Sequence, residues 1–257
     1  MGAAQAFITR SYAAAVGTEQ VPLTEAEGRI LCADVVATAD LPRFDASAMD
    51  GYALRAADLV QSAETWLRVV DRSAAGHPAA LALESGEAAR IFTGALVPPG
   101  ADLVLMQEDC RRDGDFLIVP AERGPRRNIR RKGEDVVAGT VLMQRGERLT
   151  GARLALASAQ HLSALPVYKR LKVALFSSGD ELRAAGETIG IGQIGDANRP
   201  MLRSLLGGMG CDVVDRGILR DDPKRQVAAL IEAAAESDLI VTSGGASVGE
   251  EDHLTNV

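Results

Sequence analysis

The sequence predicts an α/β protein of more than one domain, and three observations carry that expectation. A chain of 257 residues, 47% hydrophobic and 25% charged, has ordinary globular composition and room for about two domains. Between residues 45 and 132 short apolar runs are separated by Gly-, Pro- and Asp-containing breaks, the texture of a small β domain, a barrel or roll. From Lys172 onward apolar runs alternate with helical patterns in the order β-α-β-α-β, which predicts a parallel sheet with helices on both faces.

Taken in order, the alanine-rich start reads as a helix over roughly 3–16. Thr24-Glu25-Ala26-Glu27 has the spacing of a capping box and predicts a second helix. Trp66–Val70, Leu103–Met106 and Phe116–Val119 read as strands. Arg123, Arg126, Arg127, Arg130, Arg131 and Lys132 form a basic stretch, either a solvated connector or an arm for a phosphorylated ligand. Residues 140–161 return to helix around Leu154 and Leu156. Lys172–Phe176, Cys211–Asp215 and Leu239–Thr242 are the strands of the parallel part. Between them lie a helix over 199–209 with Asn198 as its cap and a helix opened by Asp222-Pro223. In the latter, Asp is the cap, and Pro loses nothing by lacking an N–H. Val227, Leu230, Ile231 and Ala234 are expected on the buried face of that last helix.

Composition excludes several function classes. A net charge of −7 argues against a general nucleic-acid or anionic-membrane binder. No run of about 18 apolar residues predicts a membrane span. The N-terminus lacks the pattern of a secretory signal, so a cytoplasmic location is expected. Cys32, Cys110 and Cys211 are scattered and odd in number, which fits reduced thiols, and no Cys/His group has zinc-ligand spacing.

The segment 42–54 (PRFDASAMDGYAL) fits neither helix nor strand periodicity and reads as a shaped loop presenting Asp50. Two strands of the parallel part run into loops of small residues. Ser177-Ser178-Gly179-Asp180-Glu181 follows the first, and Ser243-Gly244-Gly245-Ala246-Ser247-Val248-Gly249 the last. Loops beyond the carboxyl ends of parallel strands are where ligands sit, and glycine with exposed N–H groups favours phosphate. Two phosphate motifs fail. Glu250-Glu251 stand where a P-loop has Lys-Ser/Thr, and G-x-G-x-x-G is absent from both loops. A phosphate-friendly loop ending in Glu250, Glu251 and Asp252 makes chemical sense with a divalent cation between acids and phosphate.

Six segments in order, PRFDASAMDGYAL, RIFTGALVPPGADLVLMQED, NIRRKGEDV, VALFSSGDEL, GQIGDANRPML and VTSGGASVGEED, resemble the molybdopterin molybdenumtransferase family, the MoeA proteins and the gephyrin E domain. The resemblance implies molybdate insertion into adenylylated molybdopterin, with Mg2+ and release of AMP. It implies a homodimer with a small pterin substrate, and the molybdopterin adenylyltransferase as a candidate partner. The implied architecture is an elongated discontinuous N-terminal domain (1–44 and 133–168), an inserted β domain (45–132) and a truncated three-layer molybdopterin-binding α/β domain (169–257). Family members continue further, so an N-terminal part with little activity of its own is expected.

Carried over by position, the implied catalytic set is Asp50, Thr93, Asp135, Glu181, Asp221 and Asp252, with Asp50, Glu181 and Asp252 on the metal. Ser177, Ser178, Gly179, Asp180, Thr242, Ser243, Gly244, Gly245, Ser247 and Gly249 form the implied phosphate and pterin cradle. The alternatives are a related molybdopterin adenylyltransferase or CinA-like protein, a non-catalytic pterin-binding or scaffold module, and, more distantly, a sugar-nucleotide or Rossmann-type enzyme.

Overall fold

Apolar strands of the middle third assemble into a mixed six-stranded sheet. The structure is a computed structural model that describes residues 16–121 and 127–244. The helix expected over 3–16, the basic residues Arg123 and Arg126, and everything after Gly244 lie outside the described residues. The chain divides into two compact units, one of residues 1–35 with 143–257, the other of residues 36–142.

In chain order the main strands are β1 (Thr18–Pro22), β2 (Gly51–Leu54), β3 (Thr65–Ser73), β4 (Glu87–Ile91), β5 (Leu103–Met106), β6 (Arg111–Asp113) and β7 (Phe116–Val119). They continue with β8 (Ala164–Tyr168), β9 (Lys172–Ser178), β10 (Asp212–Leu219) and β11 (Leu239–Ser243). The α-helices are α1 (Gly151–Ala159), α2 (Asn198–Gly208) and α3 (Pro223–Glu236).

In the 36–142 unit the sheet order is β5-β2-β4-β3-β7-β6, and only the β3–β4 pair is parallel. The edge strands β5 and β6 do not pair with each other, so the expected barrel is an open half-barrel. Period-two alternation gives the sheet two apolar faces. Ala53, Ala89, Ile91 and Val104 pack on one side, and Leu54, Leu67, Ala88, Leu105 and Leu117 on the other. Burial on both faces explains why these strands read as continuous apolar runs.

In the other unit β10-β9-β11 is a wholly parallel sheet. The face of β9 carrying Ala174 and Phe176 packs with Leu219 against Ala229, Leu230 and Ala233 of α3. A separate antiparallel ladder pairs β1 with β8, from Thr18↔Tyr168 to Pro22↔Ala164.

Four local expectations are corrected. The capping-box segment forms only a 3-10 turn, Leu23–Glu25. Leu23 N–H is bound to Ser163 and Gly28 N–H to Leu149, and Gly28 has φ +73°, so no further turn can be added. Residues 140–161 are interrupted, with a strand at Val141–Met143 and a left-handed Gly146 before α1 begins. Asn198 is the first residue of α2, and the unpaired N–H groups of that end are served instead by Asp196 Oδ1, which accepts from Arg199 N–H at 3.2 Å. On α3 the buried positions are Gln226 and Ala233, with Val227 and Ile231 exposed. The true face is one residue out of phase because the sheet, which helical periodicity cannot see, selects it.

Candidate active site

Asp50 is held by the strand ends of the half-barrel. The 45–50 loop is laced to 93–97 by backbone bonds: Ser47 N–H to Ala95 O (2.9 Å), Gly94 N–H to Ser47 O (2.8 Å) and Val97 N–H to Asp45 O (3.0 Å). That lacing brings Thr93, just past β4, under Asp50. The Thr93 N–H and hydroxyl both donate to Asp50 Oδ1 at 2.8 Å. These bonds, the backbone one first, hold the exposed Asp50 carboxyl below its ordinary value of 3.8, with Arg90 adding attraction. Asp50 is thus an ionised acceptor whose Oδ1 takes both Thr93 donors and whose Oδ2 makes no hydrogen bond among the described residues.

Gly51 is required here by space. A Cβ on it would lie 1.8 Å from the Leu105 carbonyl oxygen of the neighbouring strand. Asp50 and Thr93, both in the implied catalytic set, are thus hydrogen-bonded to each other. Asp135, in the same unit, is exposed and ion-paired to Arg130. Its neighbours Arg131 and Lys132 are engaged by Asp45 and Asp40. Of the two readings of the basic stretch, this charge matching favours a solvated connector for residues 130–132.

The second set of predicted residues gathers at the carboxyl edge of the β10-β9-β11 sheet. Because the strands are parallel, the loops after Ser178, Leu219 and Ser243 leave at one edge. Gly179 follows β9 with φ +142°, donates to Leu219 O at 3.1 Å, and has the Glu181 carboxylate folded over it. Asp180 N–H donates to Asp221 Oδ2 at 3.0 Å, and Asp221 N–H to Asp180 Oδ1 at 3.4 Å. Asp222 caps α3, accepting from Lys224 and Arg225 N–H, as expected. Asp221 is thereby left free of the capping role.

Among the cradle residues, Gly244 has φ +110° and a would-be Cβ 2.9 Å from Ser178 O, so only glycine lets these strands' ends approach. Thr242 Oγ1 donates to Gly244 O at 3.3 Å, and Ser243 pairs with Ser177 in the sheet. Ser177 is fully buried, with its hydroxyl beside the Asp196 carboxylate but in no hydrogen bond of ordinary geometry among the described residues. Gly245, Ser247, Gly249 and Asp252 lie outside the described residues, as do Glu250 and Glu251.

Several residues near these sites had no motif to mark them. Gln226, buried on α3, donates from Nε2 to Arg220 O at 3.0 Å and reaches Ser178 Oγ at 3.5 Å. Asp196 and Asp215 flank Arg199, with Arg199 Nε 2.8 Å from Asp196 and Nη1 2.6 Å from Asp215. Burial pushes both carboxyls up, but the Arg199 side chain outweighs it and leaves each below 3.8. Ser177 and the Arg199 N–H assist at Asp196, the Gly217 N–H and Arg203 at Asp215. The only advance signal was Asp196-Ala-Asn-Arg199 inside the GQIGDANRPML segment.

Residues 1–160 match the family described as MoeA N-terminal region (domain I and II). The chain belongs to the MoeA family. Residues 174–257 match a second model, described as a probable molybdopterin binding domain. The chain is 42% identical over 236 residues to a molybdopterin molybdenumtransferase of Haemophilus influenzae, covering 91% of this chain and 58% of that protein. It is 38% identical over 243 residues to one of Nostoc sp., covering 93% and 56%. Among solved structures, a molybdopterin biosynthesis MoeA protein from Pyrococcus horikosii superposes with a TM-score of 0.86 at 32% identity, covering 97% of this chain and 63% of that one. This MoeA-family chain thus spans less than two thirds of the length of these relatives.

The expected α/β multidomain fold and the family resemblance both hold. Both acid groups carry only carboxylate oxygens, a donor chemistry that would suit a hard divalent cation. Among the described residues, no three Asp, Glu, His or Cys side chains converge on one point.

Proposed function

We propose that this chain contributes the N-terminal part of a molybdopterin molybdenumtransferase, which inserts molybdate into adenylylated molybdopterin and releases AMP. The observation that carries the reading is the order of the two family matches, 1–160 then 174–257, on one chain. An adenylyltransferase or CinA-like protein would need the second region but not the SAMDGYA and FTGA segments of the first.

In this reading Asp50, Thr93, Asp135, Glu181, Asp221 and Asp252 carry the reaction, and Mg2+ is held by Asp50, Glu181 and Asp252. When bound, that ion would neutralise phosphate charge as AMP leaves. Asp50 enters already ionised because the Thr93 donors stabilise its charged form. Gly179 and Gly244 keep side chains off this loop edge, where a Cβ would meet Glu181 and Ser178, and glycine loops of this kind suit phosphate binding by backbone N–H groups. The remaining cradle would come from Ser177, Ser178, Asp180, Thr242, Ser243, Gly245, Ser247 and Gly249. A cytoplasmic homodimer fits the family. Among the described residues, no helix is long and apolar enough to cross a membrane.

The test is molybdate-dependent AMP release by the chain extended to its relatives' length. Asp50→Asn and Asp252→Asn are expected to abolish turnover while keeping the wild-type circular dichroism spectrum. Wild-type rates in both variants would remove the carboxylate–metal reading. Thr93→Ala should weaken turnover by about 0.5–1.5 kcal/mol of barrier, the usual range for one hydrogen bond. A second reading, a pterin-binding module without catalysis, is supported by the match of residues 174–257 to a probable molybdopterin binding domain. Co-purified pterin or AMP with no metal-dependent turnover would select it.

A further inference from the structure

Arg90, on β4, is tied at several points to the segment that carries Asp50. Its Nη1 donates to the Gly51 carbonyl at 3.0 Å, and its Nη2 donates to Gln107 Oε1. The guanidinium lies over the Tyr52 ring at 5.0 Å and the Phe92 ring at 4.7 Å. Gln107 returns its own N–H to the Asp50 carbonyl at 3.1 Å. Phe92 is followed directly by Thr93, whose two donors meet Asp50 Oδ1. One planar cation therefore touches the Gly51–Tyr52 peptide, the side chain of the residue that binds Asp50's carbonyl, and the ring next to Thr93. Both of its side-chain hydrogen bonds among the described residues, to Gly51 and Gln107, go to this frame.

We propose that Arg90 is a positioning residue that, through the Gly51 carbonyl and Gln107, locks the backbone at Asp50 to Thr93, so that the Asp50 carboxylate meets both Thr93 donors. The inference rests on the reading of Asp50 as a site residue and deepens it. A guanidinium suits the task because its fork reaches two acceptors while its faces stack on rings. Lysine would keep the charge and lose both the fork and the stacking. Arg72 supplies an internal control. It lies 4.7 Å over the same Phe92 ring, with no side-chain bond to residues 44–54 among the described residues.

The experiment is a carboxyl-carbon NMR titration of Asp50 in the 257-residue chain, comparing wild type with Arg90→Gln, Arg90→Lys, Arg72→Gln and Thr93→Val. Losing Arg90 should free both Thr93 bonds, so Arg90→Gln and Arg90→Lys are expected to raise the Asp50 pKa at least as far as Thr93→Val does. Arg72→Gln should leave it at the wild-type value. A smaller rise in Arg90→Gln than in Thr93→Val, or a wild-type value in Arg90→Lys, would overturn the proposal and leave only an effect of charge. Loss of the folded half-barrel in both Arg90 variants would overturn it too, by making the residue structural. In the extended enzyme, the acid limb of the turnover profile in Arg90→Lys should move with Asp50. A displaced carboxylate with an unmoved limb would refute the catalytic role of Asp50 while leaving its positioning by Arg90 intact.

Discussion

Asp50 takes both of its Oδ1 bonds from Thr93 at the end of a strand, whereas Asp180 and Asp221 accept from each other's backbone amides across two loops. The first carboxylate is presented by a sheet whose both faces are packed, and the frame around it is filled to the point that Gly51 cannot carry a Cβ. The second group is presented by loops at an open sheet edge, around glycines in conformations other residues avoid. A packed frame fixes direction through sterics, and a loop edge fixes it through hydrogen bonds and backbone conformation. The two should therefore fail differently when perturbed.

The largest effect is expected at Gly51. A methyl group there would sit 1.8 Å from Leu105 O, on backbone that two strands hold in place. Gly51→Ala should lower stability in urea by about 3 kcal/mol, the upper part of the overpacking range. A loss under about 1 kcal/mol would mean the β2–β5 pair yields easily, and the contrast between the units would collapse. Gly179→Ala is the matching test of the loop edge. Its Cβ would lie 2.2 Å from Glu181 Oε2, the far end of a flexible side chain, so the positive φ dominates. A loss of about 2 kcal/mol is expected, with the Glu181 side chain displaced, as read by its carboxyl NMR signal.

Asp222→Ala should remove about 1 kcal/mol by unmasking the first turn of α3, measured by thermal melting. The smallest and most specific effect is in acid. Asp196 and Asp215 have folded values below 3.8, so their contribution is complete above that value and is lost as pH falls through the lowered ones. Melting temperature followed downward from pH 6 should therefore drop less steeply in Arg199→Met than in wild type. Parallel curves would show that the Arg199 pairs do not couple to folding.

Legibility in the sequence tracked how local each determinant is. Leu103–Met106 and Phe116–Val119 were readable to the residue because each is a continuous apolar run between turns. The Asp222 cap was readable because cap, Pro223 and receiving amides lie within four residues. Thr24 failed because its neighbours bond to Ser163 and Leu149, far along the chain. Val227 and Ile231 have helical spacing, yet the helix turns Gln226 and Ala233 inward. Arg90 lies inside a segment that identified the family, but nothing in the string says that it reaches Gly51 and Gln107.

The β-α-β-α-β order from Lys172 onward, the strands Leu103–Met106 and Phe116–Val119 and the family were set by the sequence alone, since patterning, turn chemistry and motif order are local properties of the string. Tertiary structure decided which face of α3 is buried, that Asp196 rather than Asn198 serves the start of α2, and that Thr93 and Arg90 frame Asp50. Those outcomes depend on strands brought side by side from distant parts of the chain, and a hydrogen bond forms only where folding has already placed its donor within reach of its acceptor.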